Sequence, residues 1–399
     1  MAFISVEDCI KKLFEQKIVK TPKTTSIHIM KAKDHILAKD VIATINVPPA
    51  DNSSMDGYAV CAADVGNSKT LNISQRIQAG DTPKALEKNT AARIFTGAEI
   101  PEGANTVEMQ ENCTADEQHV TFNETVHADI NIRRQGQDIK TGSVVLKKGQ
   151  RLRAQELGLL ASIGVQYVQT YQPLNVAIVN TGNELVELGQ PLKTGQIYNS
   201  NRYLLNGILS GWGFNVENCD IVADNLNDTK NVLAKISQTN DIVITVGGVS
   251  VGEEDHIKPA VEALGEINIW KVAIKPGKPF AFGRIATTPF VGLPGNPASV
   301  FVTLLILARP YLLKQQGLSE VDSYVNTHTA IANFERKEAS REDYLRARYI
   351  DGKVEIHPNQ SSGVLTSASW GNCFVKQTAG EAIKYQQTVP ILLYSDLFK

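Results

Sequence analysis

The sequence predicts a multidomain α/β protein whose core domain is a parallel sheet with helices on both faces. The main observation is a βαβα alternation between about 174 and 313, where apolar β-branched runs are followed by glycine turns and amphipathic segments. This alternation is typical of parallel strands joined by helical crossovers. The second observation is length, because 399 residues are enough for roughly two to four domains.

The segments on either side of this core predict further, mostly β-rich domains. An amphipathic helix is expected at about 6–19, and an extended stretch at 41–49 is stiffened by two prolines. Short strands and turns indicate a β-rich insert, a helix at 154–163 leads into the core, and a strand-like pattern after 322 predicts a small β-barrel. The expected domains are an N-terminal helix and linking domain at 1–50 and 139–172, an inserted domain at 51–138, the α/β domain at 173–322, and the barrel at 323–399.

The segment 242–255 is the most informative part of the core, because an apolar run ends in two glycines, a hydroxyl and then carboxylates. Without side chains, Gly247 and Gly248 allow backbone N–H groups to approach a phosphate closely. Ser250 follows them, and the helix that opens near Asp255 adds its positive N-terminal end. A tight, capped βα turn without a ligand is the alternative interpretation.

Two lysines stand on a stiff turn about thirty residues further on. Lys275 and Lys278 flank a Pro-Gly pair between two predicted strands. Lysine is a common point-charge partner of phosphate, and proline lowers the entropy lost on binding. A solvated hairpin is the alternative.

Two further strand ends point to the same sheet edge. After the strand at 289–294, which ends at Pro294, Asn296 suits a helix N-cap and Pro297 the first helical position, with Ser299 one turn inside. After the strand at 175–180, Thr181 and Glu184 stand on another glycine turn. The loops are expected to bring together Glu184, Asp224, Asp255, Ser250, Lys275, Lys278 and Ser299. Carboxylates beside phosphate-binding groups suit Mg²⁺, which takes one or two carboxylates plus substrate phosphates.

Five motifs in this order resemble the molybdopterin molybdenumtransferase family, the MoeA and gephyrin E-domain type. They are Ser-Met-Asp-Gly-Tyr-Ala at 54–59, Thr-Gly-Asn-Glu-Leu at 181–185, Gly-Gly-Val-Ser-Val-Gly at 247–252, Lys-Pro-Gly-Lys-Pro at 275–279 and Gly-Leu-Pro-Gly-Asn-Pro at 292–297. The resemblance implies a molybdopterin-binding α/β domain and an elongated linking domain. It also implies an enzyme that inserts molybdate into adenylylated molybdopterin with Mg²⁺, releases AMP and forms molybdenum cofactor. An elongated homodimer is implied, with its site shared between subunits.

The resemblance also implies roles for individual residues. Lys275, Lys278 and the amides at 247–248 and 296–298 are expected to bind phosphate and oxyanion, while Glu184 and Asp255 hold Mg²⁺. Asp56 and Thr96 match positions that face the partner subunit's pocket, although each alone is also a simple turn former. Arg346 and Ser367 match anion-binding positions, with a solvated strand residue as the alternative for Arg346. The expected catalytic residues are Asp56, Glu184, Asp255, Lys275 and Lys278, and the expected substrate-binding residues are Thr96, Thr181, Asp224, Gly247, Gly248, Ser250, Pro294, Asn296, Pro297, Ser299, Arg346 and Ser367.

Three acids that are usual in the family are amides in this sequence, at Asn105, Asn183 and Asn199. An amide keeps an oxygen but loses the charge, so these changes would weaken or relocate metal binding. They motivate one alternative function, a non-catalytic molybdopterin carrier or scaffold. The Gly-Gly-Val-Ser loop alone motivates another, an adenylyltransferase that acts one step earlier.

Composition is that expected of a cytoplasmic enzyme. A net charge of −2 predicts no bulk attraction to nucleic acid or to an acidic membrane surface. Five scattered cysteines indicate free thiols in a reducing compartment, and the N-terminal residues do not have the pattern of a signal peptide. The apolar helix at 298–308 is expected to be too short to span a bilayer. Besides the two substrates, the molybdopterin adenylyltransferase and recipient molybdoenzymes are possible partners.

Overall fold

The computed structural model describes residues 3–16, 22–249, 255–319 and 326–399. Over these ranges the chain forms a β-rich N-terminal half, a mixed α/β domain and a closed β-barrel near the C-terminus. The predicted fold class is therefore confirmed.

The first helix, α1, belongs by its packing to the α/β core. It runs over Val6–Glu15, shorter than the expected 6–19, and the Ser5 hydroxyl caps it by accepting from the Asp8 amide at 3.0 Å. Its buried face joins the main hydrophobic cluster of the α/β domain and packs against the last helix of that domain. An apolar stripe at helical spacing thus fixes the N-terminal segment onto a distant part of the sequence.

The rest of the N-terminal half is an inserted sheet carried on narrow antiparallel ribbons. Its central strands form a six-stranded sheet in the order β7-β4-β6-β5-β9-β8, while β1 pairs with β12, β2 with β11 and β3 with β10. Because each ribbon joins a strand before the insert to one after it, the insert leaves and re-enters the linking region at adjacent points. The elements are β1 (Thr24–His28), β2 (Val41–Ile42), β3 (Asn52–Ser53), β4 (Gly57–Val60), α2 (Ala62–Asn67), β5 (Thr70–Ile77), β6 (Thr90–Ile94), β7 (Thr106–Met109), β8 (Cys113–Ala115), β9 (His119–Phe122), β10 (Ile132–Arg133), β11 (Val144–Leu146), α3 (Ala154–Ser162) and β12 (Tyr167–Tyr171).

The α/β domain contains a six-stranded sheet with both faces covered. Its elements are β13 (Asn175–Asn180), β14 (Leu185–Val186), β15 (Ile197–Tyr198), α4 (Ser200–Gly211), β16 (Asn215–Asn218), α5 (Leu226–Thr239), β17 (Ile242–Val246), α6 (Ile257–Leu264), β18 (Gly265–Trp270), β19 (Ile274–Lys275), β20 (Ala281–Ile285), β21 (Thr288–Leu293), α7 (Pro297–Thr303), a π-helical segment (Leu304–Ala308) and α8 (Arg309–Gln315). Successive residues of β13 point into two different hydrophobic clusters, Ile178 into one and Val179 into the other. Burial on both faces explains why these strands are continuous apolar runs.

The sheet is mixed, with an antiparallel edge that the sequence did not predict. In the order β16-β13-β17-β21-β20-β18, the first four strands are parallel, whereas β20 and β18 run antiparallel to their neighbours. Only Ala286 and Thr287 separate β20 from β21, and Ala286 has a φ of 52°. A link this short forms a hairpin, because a parallel connection needs a much longer crossover.

The last helix of the domain ends at Gln315, close to the expected end of the α/β alternation at about 313. The helical run Pro297–Gln315 has 19 residues and is long and apolar enough to cross a membrane, so the expectation that this helix is too short is wrong. However, 89% of its most apolar window is buried inside the protein, which is typical of a core helix. The π-helical segment ends two residues before Pro310, which has no N–H for the regular pattern.

The C-terminal domain is a closed barrel of β23, β24, β22, β26 and β25, in which β25 pairs back onto β23. Its elements are β22 (His328–Ala332), β23 (Glu342–Ile350), β24 (Lys353–Ile356), α9 (Thr366–Trp370), β25 (Cys373–Gln377), β26 (Thr388–Leu393) and α10 (Tyr394–Leu397). The barrel also pairs with the α/β domain, because β19 runs parallel to the start of β23. This pairing brings the lysine-bearing turn of the α/β domain against the barrel.

Candidate active site

A cavity of about 820 Å³ opens at the carboxyl ends of β13, β17 and β21 and is closed on one side by the barrel. This is the edge of an α/β sheet where ligands usually bind. The barrel contributes Arg341 and the loop 360–363, which the sequence did not predict to be part of the site. The predicted site residues that line the cavity are Thr181, Glu184, Gly247, Lys275, Lys278, Pro294, Asn296, Pro297 and Ser299.

The glycine pair after β17 is required by close packing. Gly247 and Gly248 have φ of 86° and 62°, and a Cβ on Gly248 would lie 2.6 Å from Ile257 Cγ1. However, the Gly247 amide donates to the Leu293 carbonyl at 3.1 Å, so it is used by the neighbouring strand. In this structure the donor is therefore not free for phosphate, and a binding role for Gly247, which lines the cavity, stays a prediction. Ser250, the hydroxyl of the same loop, lies outside the described residues.

The N-terminus of α7 is also occupied by a protein contact. Asn296 is the N-cap residue and Pro297 the first helical residue, as predicted. The Ala298 amide donates to the Ser362 carbonyl of the barrel loop at 3.0 Å. This amide is therefore not free to donate to an oxyanion in the structure, and a binding role for the amides at 296–298 stays a prediction.

The lysine turn is packed tightly against α7. Gly277 has a φ of 112°, and a Cβ there would lie 2.3 Å from Thr303 Cγ2. The turn therefore holds both lysines on the cavity wall beside the start of α7. Lys275 Nζ is 3.3 Å from Asp343 Oδ2 on β23, while Lys278 is exposed. Arg341 adds a third cationic side chain to the wall, and its Nη1 donates to the Ile274 carbonyl at 2.9 Å.

Four polar residues at the ends of β13 and β15 form a buried wall that the sequence analysis mostly missed. Asn180, Thr181, Asn199 and Asn201 line the cavity and are at most 9% exposed. Within the described part of the chain, no hydrogen-bond partner exists for either side-chain polar atom of Asn180, for Thr181 Oγ1, for Asn199 Nδ2 or for Asn201 Oδ1. Buried polar groups are nearly always paired, so this wall is suited to a ligand that has both donors and acceptors. The available signal was Asn180, a polar residue directly after the apolar run 176–179.

The predicted acids are only partly brought together. Glu184 is exposed and lines the cavity. Asp224 accepts from the Asn183 amide at 3.1 Å, while the Asp224 amide donates to Asn183 Oδ1 at 3.3 Å. Among the described residues, Asp224 and Asp255 do not line the cavity, Asp255 being a half-buried residue shortly before α6. Over the same ranges, no group of three or more His, Cys, Asp and Glu residues is placed to hold a metal ion.

Arg346 and Ser367 lie behind the barrel loop and are completely buried. Arg346 Nε donates to Ser367 Oγ at 3.1 Å, and Arg346 Nη2 donates to the Ser361 carbonyl at 3.2 Å. Burial lowers the pKa of Arg346. Arg346 is therefore not a solvated strand residue, and that alternative is wrong. Among the described residues, neither Arg346 nor Ser367 lines the cavity.

Asp56 and Thr96 form a pair in the inserted domain. Asp56 Oδ1 accepts from the Thr96 amide at 2.8 Å and from the Thr96 hydroxyl at 2.7 Å. These bonds hold the pKa of Asp56 below its usual range. In the described structure, neither residue lines the cavity of its own chain. Gly248 also lies outside the lining, directly behind Thr181.

Comparison with known proteins matches three consecutive regions of the chain to the domains of one protein family. Residues 4–164 match the MoeA N-terminal region (domain I and II), 177–314 match the probable molybdopterin binding domain, and 329–394 match the MoeA C-terminal region (domain IV). The molybdopterin molybdenumtransferase of Haemophilus influenzae is 40% identical over 93% of this chain and 94% of its own length. The Nostoc enzyme of the same name is 35% identical over 94% of this chain and 90% of its own. A crystal structure of the molybdopterin biosynthesis MoeA protein from Pyrococcus horikoshii superposes with a TM-score of 0.86 at 25% identity, covering 98% of this chain and 100% of that one.

Proposed function

The chain belongs to the MoeA family of molybdopterin molybdenumtransferases, and on this premise we propose that it inserts molybdenum into molybdopterin in the cavity described above. The observation that carries the proposal is the composition of the cavity wall. Cationic side chains, at Lys275, Lys278 and Arg341, and unpaired neutral amides line the same cavity. The substrate would be adenylylated molybdopterin and the second substrate molybdate.

The cationic side chains of the cavity would offset the repulsion between the two anionic substrates of this reaction. Molybdate is a dianion that must approach a substrate carrying phosphates, and each pair of unit charges at ~5 Å repels by roughly 3 kcal/mol at an effective dielectric near 20. Lys275 and Lys278 are held on one rigid turn, so binding an oxyanion immobilises little additional chain. Side-chain cations, rather than the backbone amides of Gly247 and Ala298, would therefore neutralise the oxyanion.

The unpaired amide groups that line the cavity suit the heterocyclic part of the substrate. Asn180 presents an unpaired donor and an unpaired acceptor, and Asn199 and Asn201 add one of each. A pterin or adenine edge alternates donors with acceptors, so it would satisfy these groups, whereas an apolar ligand would leave them buried and unpaired.

Mg²⁺ fits this site as an ion held jointly by protein and substrate. A cage built from protein alone would need more ligands than the described residues bring together. Mg²⁺ instead keeps several waters and takes one or two carboxylates plus substrate phosphates. Glu184 at the cavity rim would hold the ion together with substrate phosphates, and the bound ion would polarise the phosphoanhydride as AMP is released. Asp255 does not line the cavity among the described residues, and its role as the second metal ligand stays a prediction.

We also propose that the active unit is a homodimer that acts in the cytoplasm. Asp56 and Thr96 form a fixed, exposed carboxylate–hydroxyl pair that does not line the cavity of its own chain, as described. In a dimer the pair would complete the partner subunit's cavity. All five cysteines are free thiols, which suits a reducing compartment.

The test is anaerobic incubation of the purified protein with adenylylated molybdopterin, molybdate and Mg²⁺. AMP release and activation of a cofactor-free molybdoenzyme are followed together, with molybdate or Mg²⁺ omitted in the control reactions. We expect both signals, each dependent on both ions. Stoichiometric substrate binding without either signal would instead establish a carrier, and ATP consumption with unadenylylated molybdopterin would establish an adenylyltransferase.

A further inference from the structure

We propose that Asp343 is a positioning residue that fixes the Lys275 ammonium on the cavity wall, so that the C-terminal barrel controls oxyanion binding by the α/β domain. The proposal rests on the proposed function only for its kinetic consequence. The contact itself is a property of the structure and can be tested independently.

The backbone register places the two side chains opposite one another. Strands β19 and β23 pair in parallel, with Ile274 beside Glu342 and Lys275 beside Asp343. Lys275 Nζ lies 3.3 Å from Asp343 Oδ2. The Asp343 side chain is 3% exposed whereas that of Lys275 is 43% exposed. The ammonium is thus ion-paired from the protein side, while the side chain remains partly open to the cavity that it lines.

Asp343 is also the shared counter-ion of a cationic cluster. Arg336 Nη2 lies 3.8 Å from the same carboxylate oxygen, and the buried Arg346 acts on it from the same strand. Burial raises the pKa of Asp343, and Lys275, Arg336 and Arg346 oppose that rise. A buried carboxylate in this place offsets part of the repulsion between these neighbouring cations.

A second contact from the same segment holds β19, the strand that carries Lys275. Arg341, two residues before Asp343, donates from Nη1 to the Ile274 carbonyl at 2.9 Å. Backbone pairing, the Arg341 hydrogen bond and the Asp343 ion pair therefore all act on two consecutive residues of the α/β domain. The barrel fixes both the strand that carries Lys275 and the charged end of its side chain.

Loss of Asp343 should impair oxyanion binding more than turnover. Without its partner the lysine must be ordered by the oxyanion itself, and ordering one long side chain weakens binding by about twofold to tenfold. For Asp343→Asn we expect the KM for molybdate to rise by about that factor, while kcat stays within about twofold. Asp343→Glu, which keeps the charge, should recover part of the loss.

Glu342→Gln provides the matched control on the same strand. Glu342 pairs with Lys376 at 3.3 Å and does not line the cavity in the described structure. The full-length variants are compared by the rate at which each lysine is acylated by an amine-reactive reagent, read by mass spectrometry. Acylation needs a neutral amine, so an ion-paired ammonium reacts slowly. Asp343→Asn should speed modification of Lys275 several-fold and leave Lys376 unchanged, and Glu342→Gln should do the reverse.

A double variant separates positioning from a general loss of structure. If Asp343 acts through Lys275, then Lys275→Ala combined with Asp343→Asn should have the same molybdate KM as Lys275→Ala alone. Equal Lys275 acylation in wild type and in both Asp343 variants would overturn the proposal, as would an unchanged or lower KM in Asp343→Asn. Absence of molybdate-dependent turnover in the wild type would refute the proposed function instead, and the acylation result would still decide the contact.

Discussion

Replacing Gly277 with alanine tests whether the lysine turn is held in place by its contact with α7. The backbone there has a φ of 112°, and the added Cβ would lie 2.3 Å from Thr303 Cγ2 and 3.4 Å from the Ser299 carbonyl oxygen. Thr303 is fully buried, and its hydroxyl donates to that same Ser299 carbonyl at 2.8 Å. The threonine methyl therefore has little freedom to move away, and the turn must shift instead.

The cost can be separated into a conformational and a steric part. An L-residue at positive φ costs about 1–2 kcal/mol, and overpacking a filled site costs about 1–3 kcal/mol more. Gly189→Ala is the matched control in the same domain, because Gly189 has a φ of 89° but nothing within 4 Å of its added Cβ. Only the steric part distinguishes the two variants, so Gly277→Ala should melt roughly 2 to 12 °C below Gly189→Ala.

Thermal unfolding measured by circular dichroism gives this difference, and molybdate kinetics give its functional counterpart. A displaced turn moves both lysines, so Gly277→Ala should raise the KM for molybdate while Gly189→Ala leaves it unchanged. If the two variants have the same melting temperature and the same KM, the turn is not held by α7 and the structural explanation for its glycine fails.

Three further predictions concern separate parts of the site. Lys278→Ala should raise the KM for molybdate about tenfold, since one exposed cation is lost. As a control, substitution of the exposed Lys353 on the barrel by alanine should leave the KM unchanged. If the two variants have the same KM for molybdate, Lys278 is not part of the site. Asn180→Leu should leave the melting temperature unchanged or raise it, because the buried amide has no partner among the described residues. The same variant should bind substrate more weakly in calorimetry. Unchanged affinity would contradict the proposed role of the unpaired amides. Thr96→Val should raise the pKa of Asp56 toward its usual value of about 3.9 in an NMR titration. Because the wild-type pKa is lowered, the stabilising contribution of Asp56 is present above that usual value and is lost as the pH falls through the folded pKa. The valine variant keeps the backbone amide donor at position 96, so this acid-dependent loss should become smaller without disappearing.

Local sequence patterns were sufficient for the strand–turn–helix units of the site. The apolar run before Gly247, the helix start at Asn296 and Pro297, and the Pro-Gly turn between the lysines each depend on a few adjacent residues. Such signals state which conformation the backbone adopts, because glycine, proline and N-cap residues act through local sterics and hydrogen bonds.

The hydrogen-bond partners of those units could not be predicted in the same way. Whether the Gly247 amide faces a ligand or the Leu293 carbonyl depends on a strand more than forty residues away. Arg341 and the loop 360–363 reach the cavity only because β19 pairs with β23, a contact between two domains. Non-local pairing of this kind leaves little trace in residue spacing, which is why the barrel's share of the site was missed.

These contacts explain why a barrel is attached to an α/β domain that already has the usual ligand-binding edge. Two of the amides that such an edge can offer to an anion are hydrogen-bonded within the fold, that of Gly247 to its neighbouring strand and that of Ala298 to the barrel loop. Charge at the cavity must then come from side chains, and long cationic side chains bind weakly unless they are ordered beforehand. The segment at the start of β23 orders Lys275 in two ways. Arg341 donates a hydrogen bond to the strand that carries Lys275, and Asp343 pairs with the Lys275 ammonium. In the proposed function, anion recognition would therefore depend on side chains of the α/β domain that the barrel holds in place.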